Sequence, residues 1–185
     1  MPTLRAANTW IDLLDKKHMG NWVAMPYSEN ESRLDMRGGM IYLEDAQLRY
    51  ARPARDPTVR IVARKISGTN PHVHLRTSID GGCKYVAAFN GKNDFPIGRI
   101  DNGQSREIKR GASEKTFEDF FEFTVSVVGD KITISADGQE VPQAQDVLYD
   151  FGRLQIGTSK GASLIKEVRV QVQDLDWEPG VRGKK

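Results

Sequence analysis

The side chains best suited to chemistry lie in the middle of the chain. His72 and His74 stand two apart and are followed by Arg76, while Arg60 and Arg64 precede them. In an extended strand residues i and i+2 point the same way, so two imidazoles at this spacing can meet one ion or one ligand. If Thr58–Ile66 and His72–Ser78 pair in one sheet, Arg60, Arg64, His72, His74 and Arg76 share a face. A guanidinium binds carboxylates, phosphates or vicinal hydroxyls through two hydrogen bonds at once, and an imidazole exchanges its proton near neutrality. Such a face suits a polar or acidic ligand. The competing reading is a solvated face balanced by Glu44, Glu122 or Glu167. No spacing identifies a third ligand beside the histidines, so no metal is assigned.

The stretch Asn90-Gly91-Lys92-Asn93-Asp94 is rich in oxygens that calcium favours, but it lacks the ligand pattern of a calcium loop. A plain turn is expected there, and no cofactor is assigned beyond that weak calcium option. Trp22, Tyr85, Phe89 and Phe95 are candidate platforms for a sugar ring, with Trp22, beside Gly20-Asn21, expected to be the most exposed. The candidate ligand residues are therefore Trp22, Arg60, Arg64, His74, Arg76, Tyr85, Asn90 and Asp94. A catalytic reading takes His72 or His74 as base, with Glu122 or Asp94 as acid. No motif couples two carboxylates at the roughly 5–9.5 Å that glycosidases use, and no nucleophile elbow, phosphate loop or dinucleotide fingerprint is present. That favours binding over chemistry. His18 stands alone in a polar stretch and is expected at the surface. Cys83, the one cysteine, forms no internal disulfide and is expected half-buried at the start of a strand.

The elements that must position these residues are strands. Val59, Ile61 and Ala63 alternate with Arg60 and Arg64, and Val73 and Leu75 alternate with His72, His74 and Arg76. Phe121, Phe123, Val125 and Val127 alternate with Glu122, Thr124 and Ser126, and the period of two recurs over Lys131–Ala136 and Leu164–Val172. This is the pattern of strands with one buried face. Gly129-Asp130, Asp137-Gly138 and Asp80-Gly81-Gly82 supply the turns. Trp10–Leu14 reads either as a short strand or as a single helical turn. Asp101–Lys115, polar and charged, reads as a long surface loop. Short strands separated by turn signals predict an all-β, two-sheet antiparallel sandwich.

At 185 residues, with 38% hydrophobic and 28% charged residues, the chain is large enough to bury a core without disulfides or metals. Residues 1–177 are expected to form one domain and 178–185 a frayed tail; no repeat or linker divides the chain. A net charge of +2 calls for no nucleic acid partner, and no apolar run reaches the ~18 residues that would span a bilayer. No secretory leader is visible, so the expectation is a soluble protein, either cytoplasmic or secreted after loss of a leader. Oligomeric state is open.

Several phrases resemble the concanavalin-like jelly-roll domains grouped with 3-keto-disaccharide hydrolases. Trp10-Ile11-Asp12-Leu13-Leu14-Asp15-Lys16-Lys17 with Gly20-Asn21-Trp22 is similar to their opening. Val73-His74-Leu75-Arg76 followed by Asp80-Gly81-Gly82-Cys83-Lys84-Tyr85 resembles their central strand pair, and Gly152-Arg153-Leu154-Gln155-Ile156-Gly157-Thr158 resembles their close. The resemblance implies a concanavalin-like sandwich and a sugar ligand. It departs where that group carries an acidic stretch: Tyr85-Val86-Ala87-Ala88-Phe89-Asn90 holds no carboxylate. Three functions are thus in play: a carbohydrate-binding domain of a bacterial sugar-degrading system, a divergent glycoside or 3-keto-glycoside hydrolase, and a structural or oligomerisation domain.

Overall fold

Three long strands carry the architecture of the computed structural model, which describes residues 10–26, 32–146 and 148–172. They are β4 (Met40–Arg55), β5 (Pro57–Thr77) and β12 (Phe151–Val172), with β12 between the other two and antiparallel to both. Around them stand β1 (Ile11–Asp12), β2 (Trp22–Pro26), β3 (Arg33–Arg37), β6 (Lys84–Ala88), β7 (Asp94–Asp101), β8 (Gln104–Ala112), β9 (Phe121–Val128), β10 (Lys131–Ala136) and β11 (Gln139–Gln145). One 3₁₀ turn, Met19–Asn21, precedes β2.

Each long strand serves two half-sheets. Residues 58–63 of β5 pair with β9, whereas residues 72–75 pair with β6. The first half-sheet runs β11-β10-β9-β5-β12-β4-β3 and the second β8-β7-β6-β5-β12-β4-β2. The bend between them lies at one level in all three strands. Gly68 takes φ +70°, and a Cβ there would fall 1.7 Å from the Lys160 carbonyl oxygen. A Cβ on Gly161 would fall 2.2 Å from the carbonyl oxygen of Ser67. Asp45 bends β4 at φ +43° and accepts a hydrogen bond from the Lys160 backbone N–H. Two glycines therefore let neighbouring strands meet where side chains would hold them apart.

Folded at this corner, the half-sheets face each other over one core. Val59, Ile61, Ala63, Phe123, Val125 and Ile134 line one side at 0% exposure, and Val73, Phe95, Ile97 and Ile156 line the other. The rings of Phe95 and Phe123 meet across the gap at 5.9 Å, and those of Phe89 and Phe121 at 4.7 Å. The predicted antiparallel sandwich is thus present, but its two sheets share their central strands.

Three expectations about elements are refined or corrected. Thr58–Ile66 and His72–Ser78 are two parts of one bent strand, not two paired ones. Asp101–Lys115 is not a loop: an Asn102-Gly103 turn leads into β8. Ile108 is the one β8 residue packed against the core, so the strand carries no hydrophobic period and its sequence reads as a loop. Trp10–Leu14 resolves as the short strand β1, paired with Val170 and Arg169. The Asp137-Gly138 turn has both residues at positive φ, as its composition predicts. The tail at 178–185 lies outside the described residues.

Candidate functional site

Even-numbered residues of β5 point away from the core in both half-sheets, so strand parity does align the basic residues. The corner then separates them. Arg60 and Arg64 emerge on the outer face of the first half-sheet, His72 and His74 on the outer face of the second. Arg60 is closed by Glu167 at 2.9 Å and Glu122 at 3.6 Å, and Arg64 by Asp119 and the ring of Phe120. The balanced face expected as the alternative is what the first half-sheet shows, and Glu122 belongs to it rather than near the histidines.

Arg76 leaves the shared face for a different reason. At φ +50° it breaks the alternation, and its guanidinium is buried, donating to Asp56 Oδ1 at 2.6 Å and to the carbonyls of Tyr149 at 2.6 Å and Gly129 at 2.9 Å. It staples one end of the sandwich. The aromatic platforms are absent from the outer face as well. Tyr85, Phe89 and Phe95 are core residues; the Tyr85 hydroxyl donates to Asp146 at 2.7 Å. Trp22 packs edge-on against Tyr50 at 5.1 Å and donates its indole N–H to the Leu13 carbonyl. His18 is buried, not superficial, with Nδ1 2.8 Å from the Tyr50 hydroxyl. Cys83 is half-buried just before β6, as expected.

The second outer face holds a groove of about 400 Å³. Register builds it: His72 lies opposite Ala88 and His74 opposite Val86, then Val86 opposite Gly98, and Gly98 opposite Glu107. The floor is Val86, Ala88, Pro96 and Gly98, small and largely apolar. One wall is His72 and His74, and the other is Glu107 and Arg110 from the edge strand. Asn90 and Ser159 stand at the end nearest the corner, Lys84, Ile100 and Ser105 at the far end. Of the predicted residues, His72, His74 and Asn90 come together here. Asp94 lies just outside, with its carboxylate held by the Arg110 guanidinium.

The histidines belong to a buried polar row on this face. Their rings stack at 4.5 Å, and His74 Nδ1 sits 2.9 Å from Gln155 Oε1. His72 lies over Gly157, where a Cβ would meet its Nε2 at 2.8 Å and Gln47 Cβ at 2.7 Å. Burial, reinforced by the nearby Lys84 ammonium, pushes the His72 imidazole down to about 3. Burial, then His72 and Lys84, hold His74 well below its ordinary value as well. Both rings are neutral at pH 7, and a base this weak is mismatched to proton abstraction near neutrality. Glu107 is the carboxylate of the groove lining; its hydrogen bonds from Arg110 hold it ionised, below the usual carboxylate range. Among the described residues no three His, Cys, Asp or Glu side chains converge as a metal cage would require. The parts of the groove that the sequence does not reveal are its β8 wall, hidden in what reads as a loop, and Lys84, to which no pattern assigns a ligand.

No protein-family model matches the chain, and no curated protein matches its sequence. Its fold, however, is shared with solved structures. The carbohydrate binding module CBM66 from Bacillus subtilis superposes with a TM-score of 0.72 at 13% identity, covering 82% of this chain and 95% of that one. The β-glucanase of Bacillus licheniformis gives 0.69 at 12% identity, covering 88% and 97%. The κ-carrageenase of Pseudoalteromonas carrageenovora, solved with an oligotetrasaccharide of κ-carrageenan, gives 0.62 at 12%, covering 92% and 98%. The fold is the concanavalin-like jelly roll. At these identities the likeness is one of fold, and no helix of the described residues is long and apolar enough to cross a membrane.

Proposed function

We propose that this domain binds a saccharide in the groove over β5–β8. The observation that carries the reading is an apolar floor between two polar walls, on a sheet face that no other described element covers. A sugar ring has the matching anatomy: C–H groups pack on Val86, Ala88 and Pro96, while hydroxyls reach the imidazoles, Asn90, Ser105, Glu107 and Arg110. Recognition here works without an aromatic platform. The structural neighbours whose names describe a carbohydrate binding module and polysaccharide-cleaving enzymes support the class of ligand. Binding is favoured over hydrolysis because the groove lining holds one carboxylate, already tied to Arg110, and two histidines too weakly basic to serve.

The test is calorimetry of the full chain against a panel of plant, algal and bacterial oligosaccharides. Val86→Tyr raises a ring from the centre of the floor. It should weaken binding by at least about tenfold, 1.4 kcal/mol, with the unfolding midpoint unchanged. Undiminished binding by this variant would place the site elsewhere.

A further inference from the structure

Lys84 is a cation waiting for a partner. It opens β6 and points to the groove side, in register with Ile100. It is half-buried, yet among the described residues no carboxylate lies within ion-pair distance of its ammonium. Arg49, in register with Gln155, which in turn is in register with His74, is the same: its guanidinium donates to the Ile79 carbonyl at 3.2 Å and forms no ion pair with a described carboxylate. Half-buried arginines elsewhere are treated differently. Arg60 is closed by two glutamates, and Arg99 by Asp101 at 2.8 Å and Asp146 at 2.5 Å. At the opposite wall of the groove, Arg110 is neutralised by Glu107 and Asp94.

Burial and the Arg49 charge both push the Lys84 amine below its ordinary range. Its field in turn reaches His72 and His74, so these three groups share one electrostatic neighbourhood. Removing an ammonium from water without a counter-charge is unfavourable, and an arriving anion relieves that penalty. The neutral imidazoles add hydrogen-bonding capacity there without adding charge. A net charge of +2 for the whole chain is too small to attract anions by itself, so the preference is local.

Resting on the saccharide reading above, we infer that the groove selects a saccharide bearing an anionic substituent, a carboxylate or a sulfate ester, which docks at the Lys84 end. Because that end is partly open to solvent, the contribution falls as salt screens it.

The experiment compares the full chain with oligogalacturonate, a sulfated galactan oligosaccharide and a neutral β-glucan oligosaccharide of equal length, each by calorimetry in low and moderate salt. The anionic ligand should bind at least tenfold more tightly than the neutral one, and the two anionic arms separate carboxylate from sulfate recognition. Lys84→Gln should remove most of that advantage, bringing the ratio of anionic to neutral affinity close to one, while Lys84→Arg should retain it. Equal affinity for neutral and anionic sugars would overturn the inference and leave saccharide binding standing. Anionic binding insensitive to Lys84→Gln would also overturn it, by placing the anion on another basic surface. Failure of every saccharide to bind would remove the saccharide reading itself.

Discussion

A single residue's backbone angle decides whether it reaches the groove. Arg76 reads from sequence as the natural companion of His74, and strand parity puts it there. One left-handed residue turns it into the sandwich instead, where three hydrogen bonds hold it. His18 and the aromatic residues make the same point about burial. Their types are compatible with either surface or core, and only packing against Tyr50 or the phenylalanine cluster chooses. The histidines carry a prediction at this scale. Their folded-state pKa values lie below the unfolded value of about 6.5, so the unfolded chain takes up protons on acidification before the native one does. Their contribution is complete above pH 6.5 and is lost as pH falls toward the folded value of about 3 for His72. For His72 the loss should be about 2 kcal/mol between pH 7 and pH 5, and His74 contributes in the same direction. Urea unfolding of the wild type at both pH values should show it, and the double variant His72→Gln, His74→Gln should show a flatter dependence. An equally steep slope in the variant would assign the effect to other groups.

At the scale of elements, alternation made the strands that pack on both sides of the core legible, and the turn residues located their hairpins. What alternation cannot register is a strand with a single core contact, and β8, with Ile108 alone, is one, so the second wall of the groove was invisible. Nor can it register that two strand segments are one strand, since Gly68 looks like any turn glycine. The corner is the element on which the groove depends, because it carries His72 and His74 away from Arg60 and Arg64. Gly68→Ala would drive a methyl into the Lys160 carbonyl at a left-handed backbone position. A destabilisation above about 3 kcal/mol is expected, beyond the usual range for a single substitution. Chemical denaturation measures it, and a shift within 1 kcal/mol would show that the corner relaxes freely.

At the scale of the whole molecule, the four strands that end the half-sheets among the described residues are each defended. β8 carries Arg106, Glu107, Lys109 and Arg110, β11 contains Pro142, β2 ends in Pro26, and β3 carries Arg33, Asp35 and Arg37. Charges and prolines on edges discourage strand addition, which argues against the oligomerisation role. Light scattering should find a monomer at high concentration, and the pair Arg106→Val, Lys109→Val should promote association. A wild-type dimer would mean that one of these edges is an interface. The shared central strands bear on how the protein is made. On the ribosome, β6–β8 and β9–β11 emerge before β12 is complete. The strand beside which β1, β4 and β5 all lie is β12, the last of the described strands to be synthesised. Neither half-sheet is complete before it appears, so the two halves close over their common core only after β12 has been synthesised.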